Sequence, residues 1–521
     1  MRFCLTLLCL ATAASMAAPS IQKTKFATRD LVIAEDVFAP LEGDCAPQLQ
    51  KAIDKLAEAG GGTIFLPVGT YRLKSPILLK DGVVLRGDNH ERQDLCEKFP
   101  EIGTVFSIEF GANSADGTPA FTLESGTGLR ELVFWYPEQT ADKPIPFPWT
   151  VAVVNARNAD NQSIFNCRFV NSYQAIAIGP KSNELHTIRN TVITPFKTGI
   201  EIDSCTDIGR LDHINLSADA FKYTKLPHKA NTANLDDATG VIIRRSDWEY
   251  IRNITIDGLD TGFLFCKGVR GTTNAVMANS NITNCKTALK LQELNGIGLA
   301  IYNTSFAATR FPVHATALFA TNVQFNLCSF IALDNNAEIL NEGTGILSFR
   351  NSSVNVPKAT LTNGNMQFSN CSSKANSFTI IADKEARGAN IIGGQLATIA
   401  KIQNNTTVAT IVTPLPKNIQ DATPKLPAFT PKRLFPDFKP ENLVLVTDFG
   451  ASPTLTDNGP AFQKALDHAK TIAPATVYVP AGWYHFNSNI NVPPNVELRG
   501  IFDVPHHTAS SGSVLMINHN H

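Results

Sequence analysis

Charge is scarce and almost perfectly balanced in this sequence. Of 521 residues 17% are charged, 45 basic against 46 acidic, for a formal net charge of -1. A chain without a global field does not gather nucleic acid or an anionic membrane surface electrostatically, so any partner is recognised locally. Long apolar runs are also missing beyond the first fourteen residues; none approaches the ~18 residues that a membrane span needs. No Gly-X-Y period or sustained heptad is present, which excludes a collagen-like fibre and a coiled coil, and 43% hydrophobic residues exclude a disordered chain. What remains is a folded, strand-rich protein whose length suggests several domains at about 150 residues each, although single-core β architectures run longer.

The N-terminus reads as an address. Arg2 precedes the apolar run Phe3 to Ala14, and Ser15, Ala17 and Ala18 before Pro19 are the small residues of a signal-peptidase site. The expectation is a signal peptide over residues 1–18 and a secreted protein, extracellular or periplasmic, with a buried first strand as the competing reading. Ten cysteines in an exported chain raise the question of disulfides. Cys4 and Cys9 leave with the signal, however, and Cys167, Cys285 and Cys371 each follow an Asn, while Cys328 sits in Asn326-Leu-Cys. The steps from Cys285 to Cys328 and from Cys328 to Cys371 are both 43 residues. Equal steps mark equivalent positions in a repeat, so buried, stacked thiols are expected rather than bridges.

An internal duplication organises the chain. Residues 44–87 superpose without a gap on 457–500, an offset of 413, and 16 of the 44 pairs are identical, among them Asp44/Asp457, Gln50/Gln463, Pro67/Pro480, Tyr71/Tyr484 and Arg86/Arg499. In the first copy Asp44 can cap a helix with Leu49, Ile53 and Leu56 on one face, Gly60-Gly61-Gly62 stops it, and short strands punctuated by turns follow. An amphipathic helix before such strands can close the end of a stacked-strand solenoid, which would otherwise expose an apolar face and an unpaired edge.

Between the copies runs a weaker repeat. Asn166, Asn190, Asn215, Asn303, Asn326, Asn351 and Asn370 recur beside short apolar strands, most at intervals of 19 to 25 residues. A second column repeats a small residue and apolar alternation: Ala175-Ile-Ala-Ile, Gly199-Ile-Glu-Ile, Gly240-Val-Ile-Ile, Gly262-Phe-Leu-Phe and Ala288-Leu-Lys-Leu. The expected fold class is all-β, a parallel solenoid with an N-terminal capping helix followed by the start of a second one. The expected organisation is a signal over 1–18, a first solenoid over 19–403, a Pro-rich linker over 404–443 and the start of a second, truncated solenoid over 444–521.

The opening motif, Gly-Gly-Gly-Thr-Ile-Phe-Leu-Pro-Val-Gly-Thr-Tyr at 60–71 with Asp-Phe-Gly-Ala at 448–451, resembles the pectate-lyase-like superfamily of right-handed parallel β-helices. The tandem arrangement is similar to that of family-55 glycoside hydrolases, exo-acting β-1,3-glucanases with two β-helices in one chain. The resemblance implies an extracellular protein acting on polysaccharide, while the superfamily includes hydrolases, lyases, epimerases and non-catalytic tail proteins. Of the polygalacturonase signature only Asp236-Asp237 occurs, and a pectate-lyase Arg-x-Pro-x-x-Arg element is missing.

Several residues could carry chemistry. In Gly199-Ile-Glu-Ile-Asp, Glu201 and Asp203 should share the solvent face about 6.5–7 Å apart, with Arg244 beside Asp203 and with Lys290 and Gln292 further along; the alternative is a charged ladder that only stabilises stacking. The excursion from Cys205 to Thr239 supplies Asp207 as an acid or base and Arg210 to orient it or hold substrate oxygens, with Asp212, Phe221, Tyr223 and His228 nearby; Asp207 as a loop cap is the competing role. Two aromatic clusters suit sugar faces: Trp135 and Tyr136 around Glu138, with Phe147 and Trp149, and Trp248 and Tyr250 around Asp247 and Glu249. Catalytic candidates are thus Glu201, Asp203, Asp207, Asp247 and Glu138, and substrate-binding candidates are Arg210, Arg244, Trp248, Tyr250, Trp135 and Tyr136. No Cys or His framework for zinc is visible, and His506 and His507 would diverge on a strand, so no metal and no cofactor is expected; Ca2+ bound by Asp203 and Asp207 enters only with a lyase.

The leading expectation is a secreted glycoside hydrolase acting on a β-glucan-like polysaccharide through carboxylate acid/base catalysis. A lyase acting on a uronate-containing polymer and a non-catalytic carbohydrate-binding or surface-structural β-helix are the alternatives. The partners are then a polysaccharide and, if the sequence is a fragment of a longer chain, the second β-helix of that chain, with no nucleic acid and no membrane.

Overall fold

A computed structural model describes residues 31–33, 43–88, 103–153, 159–227, 233–375, 377–407, 411–413, 440–501 and 512–518. The expected signal over 1–18, most of the expected linker, and His228, His506 and His507 lie outside the described residues. The right-handed parallel β-helix is the fold. Thirty-two strands join one continuous ladder in which every pairing is parallel, so each coil lies in register on the one before. No helix among the described residues is long and apolar enough to cross a membrane.

Each coil has three faces. Face 1 includes Gly62–Leu66, Val83–Gly87, Arg210–Leu216 in its first half, and Asn322–Asn326; face 2 includes Gly69–Leu73, Thr104–Ile108 and Leu132–Trp135; face 3 includes Trp149–Val153, Thr239–Ile243 and Thr261–Phe265. Faces 1 and 2 meet at a sharp bend made by one residue in the left-handed region. Asn166, Asn190, Asn253, Asn279, Asn303, Asn351 and Asn370 hold that position at φ between 44° and 56°. Asn tolerates this backbone better than other side chains. Stacked amides then bond along the column: Asn303 Nδ2 donates to Asn279 Oδ1 at 2.9 Å and Asn370 Nδ2 to Asn351 Oδ1 at 3.0 Å.

Two positions of the expected Asn column are displaced. Asn215 lies within a strand and His213 takes the bend in its coil, while Leu327 rather than Asn326 bends in another. Asn326 still accepts from Asn351 at 3.3 Å, so its side chain stays in the ladder. The cysteines follow the same logic with one exception. Cys167, Cys328 and Cys371 come directly after this bend, whereas Cys285 follows Asn284, a left-handed residue at the corner between faces 2 and 3, so the equal steps of 43 do not mark equivalent positions there; all four are buried, unbridged thiols. Burial pushes Cys285 and Cys328 up to about 12 and Cys371 to about 11, which leaves them unreactive. Inside, equal positions stack at the coil spacing: Phe325, Phe349 and Phe368 lie 5.0 and 4.8 Å apart with nearly parallel rings.

The duplicated motif folds the same way twice. Helices Ala46–Glu58 and Gly459–Thr471 correspond residue for residue at the offset of 413. Asp44 sits one residue before the N-cap, where Oδ1 accepts from Ala46 N at 3.1 Å and from Lys74 N at 2.9 Å; Asp457 Oδ1 accepts from Gly459 N and Asn487 N, both at 3.0 Å. Gln50 clamps the neighbouring strand through Leu78 N and O, and Gln463 does so through Asn491. Among the identical residues, Asp44/Asp457 and Gln50/Gln463 are the ones whose side chains hold helix to strand. The first helix covers the open end of the solenoid with Leu49, Ile53 and Leu56, all fully buried. The second copy packs back on the first through Phe65, Leu443, Leu445, Tyr478 and Ile501, with Arg130 3.8 Å from Glu497. Phe65 and Tyr478 are themselves equivalent positions of the duplication.

Candidate active site

Two corners flank face 3, and they differ in length. Between faces 3 and 1 the turns are tight: 203–209, 244–248 and 266–274. Between faces 2 and 3 two long loops stand out, 136–148 and 217–238, of which 228–232 lie outside the described residues.

The tight corner gathers most of the candidates, and nearly every carboxylate there has a partner. Glu201 is half-buried on face 3 and ion-paired with Arg244, Nε to Oε1 at 2.9 Å and Nη2 to Oε2 at 3.4 Å. Asp203 is 2% exposed, accepts from Val269 N at 3.4 Å and packs under Gly268, where a Cβ would overlap Oδ1. The expectation that it shares the solvent face with Glu201 is corrected by this overlying turn. Asp207 Oδ1 accepts from Ile208 N at 2.9 Å, the capping role that competed with catalysis. Asp247 is ion-paired with Arg245 at 2.6 Å. Trp248 and Tyr250 are exposed, and Tyr250 lies beside exposed Arg210 in the adjacent coil.

The other aromatic cluster is corrected. Tyr136 is 1% exposed and its hydroxyl meets Thr150 Oγ1 at 2.9 Å, so it belongs to the core; its pKa is raised by burial. Trp135 is half-buried, packed with Leu226 against Val105, Val133 and Val170. Its ring holds the 217–238 excursion against face 2 and is not free for a sugar. Glu138 is exposed on the loop two residues beyond Tyr136.

The excursion is firmly seated. Arg168 Nη2 donates to Ala220 O at 2.9 Å, Thr194 Oγ1 donates to Ser217 O at 2.7 Å and accepts from Phe221 N at 3.1 Å, and Asn234 N donates to Ala141 O at 2.8 Å. Phe221, a residue the sequence offers as loop surface, is buried as the anchor; Tyr223 is exposed. Between this excursion and the 136–148 loop lies a cavity of about 540 Å³ lined by Asp142, Asp219, Asp236, Asp257, Lys222 and Asn234. A smaller one of about 140 Å³ is lined by Asn234, Asp237, Lys197 and Tyr173. The larger is the size of a small-ligand site. Asp219 Oδ2 accepts from Asn215 Nδ2 at 3.0 Å and Asp257 Oδ1 from Asn284 Nδ2 at 2.6 Å, so amides aim both half-buried carboxylates without neutralising them. None of the four aspartates is ion-paired among the described residues. The sequence points to this site only through the length of the excursion and the isolated Asp236-Asp237.

A family profile described as rhamnogalacturonase A/epimerase, pectate lyase-like, matches residues 42–102 and 443–514, which contain the two copies of the opening motif. This similarity to a pectate-lyase-like profile is confined to the two stretches that hold the opening motif. A stretch of 52 residues is 46% identical to mannuronan C5-epimerase AlgE1 of Azotobacter vinelandii, covering 9% of the chain and 4% of that relative's length. Solved structures with a similar fold include the A-module of mannuronan C-5 epimerase AlgE6 of the same organism, at 14% identity over 74% of this chain and all of that one, with a TM-score of 0.38. Another is DFA-IIIase of Arthrobacter chlorophenolicus A6 in complex with GF2, at 10% identity over 73% and 99%, TM-score 0.46. A third is the tailspike of E. coli bacteriophage HK620 in complex with a pentasaccharide, at 13% identity over 72% and 67%, TM-score 0.45.

Proposed function

We propose that the protein is a secreted glycoside hydrolase whose catalytic carboxylates face the cleft between loops 136–148 and 217–238. The observation that carries this reading is the convergence of Asp142, Asp219, Asp236 and Asp257 on one cavity with Lys222 as the cation lining it. Glycoside hydrolysis asks for two carboxyl groups, one that protonates the leaving oxygen and one, ionised, that serves as base or nucleophile. Asp219 and Asp257, fixed by Asn215 and Asn284, are the pair assigned these roles, and a β-glucan-type polymer is the substrate class. Mass spectrometry of products from a panel of neutral and uronate-containing polysaccharides tests it: fragments carrying an added water support the hydrolase, and intact polymer throughout overturns it.

A second reading rests on face 3, where Glu201, Lys290 and His314 occupy one register row, with Arg244 on Glu201 and Glu342 on His314. Lys290 and Arg244 along this face suit an acidic sugar polymer, as a lyase or an epimerase would bind. Unsaturated ends, or altered uronate stereochemistry at unchanged mass, would move the assignment there.

A further inference from the structure

Beneath the tight corner, away from the cleft, three side chains from different coils meet in the wall. His186, Cys205 and Glu249 are each completely buried. His186 Nε2 lies 3.1 Å from Glu249 Oε1, and the ligand atoms of all three lie within 4.8 Å of one another. Parallel pairing explains the meeting. Arg210 N donates to His186 O and Tyr250 N to Gly209 O, so His186, Gly209 and Glu249 occupy successive levels of one column. Two levels are normally about 9.6 Å apart, too far for side chains in a column to touch across an occupied middle level. Residue 209 is glycine, and a Cβ there would overlap both Glu249 Oε2 and the His186 ring. The missing side chain lets histidine and glutamate close over the middle coil, and the 203–209 turn brings in the thiol.

We propose that His186, Cys205 and Glu249 form a closed binding site for a divalent transition ion of the zinc class. One imidazole nitrogen, one sulfur and one carboxylate oxygen form a borderline-soft donor set that suits such an ion and not calcium or magnesium. Ser246 Oγ donates to Glu249 Oε2 at 2.7 Å and fixes the carboxylate, His186 Nδ1 is buried with no hydrogen-bond partner among the described residues, and the Cys205 thiol, which donates to Asp207 O at 2.7 Å, gives up that proton to ligate as the thiolate. Burial makes the role structural: the ion ties the coils carrying His186, Cys205 and Glu249 and so fixes the turn bearing Asp247 and Trp248.

The test uses the whole chain. Purified protein is stripped with chelator, reloaded separately with Zn2+ and Co2+, desalted, and measured by elemental mass spectrometry and near-ultraviolet absorption. The expected result is about one equivalent of either metal, a thiolate-to-cobalt charge-transfer band, and a higher thermal midpoint with metal. Cys205→Ser should abolish the band, and Cys266→Ser should keep it. Wild-type protein that retains less than about a tenth of an equivalent and shows no band overturns the proposal, whatever the variants do. Binding that survives unchanged in both Cys205→Ser and His186→Gln overturns it as well.

Discussion

The two corners beside face 3 use the same acidic residues for opposite ends. At the tight corner Glu201 meets Arg244, Asp247 meets Arg245 and Glu249 meets His186, while at the loop-walled corner Asp142, Asp219, Asp236 and Asp257 face a cavity without ion pairs among the described residues. A tight turn brings the next coil's side chains within reach, so a carboxylate there is drawn into the wall. A long loop carries Asp142, Asp219 and Asp236 away from the stack, over Asp257 at the end of strand Glu249–Asp257, and leaves them available to a ligand. Pairing and exposure, more than residue type, separate acids that hold the fold from acids able to act on a substrate.

The largest effect is expected at the loop-walled corner. Asp257→Asn and Asp219→Asn should each lower turnover by about 100-fold or more, the usual scale of a lost acid/base group, with an unchanged thermal midpoint. Rates near wild type in both would dissolve the contrast. Next comes Glu249→Ala, which removes the carboxylate that His186 Nε2 and Ser246 Oγ meet inside the wall. Denaturant unfolding should show a loss of about 3–5 kcal/mol, and a loss under about 1 kcal/mol would place the pair outside the structural class.

A smaller effect follows acidification. Burial alone would push the Asp212 carboxyl up, but bonds from His213, Asn253 and Arg252 outweigh it and hold it down at about 2. A depressed folded pKa contributes stability above the unfolded value, and that stability is lost as pH falls through the folded one. About 2 kcal/mol should therefore disappear between roughly pH 4 and 2. Asp212→Asn should flatten that part of the stability curve; an unchanged slope would remove Asp212 from the account. Smallest is Glu201→Gln, which breaks a half-exposed pair with Arg244 and should cost no more than about 1 kcal/mol.

Much of the fold was legible because its determinants are local or strictly periodic. Asp44 and Gln50 recur at Asp457 and Gln463 because each holds its helix to a strand, and Asn recurs at the bend because one left-handed residue is needed per coil. The site was legible only as an excursion of unusual length. Which side of the wall a residue faces is set by the turn before it, and turns of variable length scramble that parity. Trp135 and Tyr136 therefore read as a pair of sugar platforms, yet one anchors a loop and the other fills the core. His186, Cys205 and Glu249 are separated by 19 and 44 residues, a spacing that matches no local motif because the excursion falls within it. Only the register across coils brings them together.

The most direct test sets the two corners against each other in one assay: turnover of the identified polysaccharide and thermal midpoint, measured for Asp257→Asn and Glu201→Gln beside the wild type. The expected result is a rate lowered by about 100-fold in Asp257→Asn at unchanged stability, with Glu201→Gln within a fewfold of wild type. The reverse pattern, activity lost with Glu201 and kept without Asp257, would contradict the assignment and place the chemistry on the strand face.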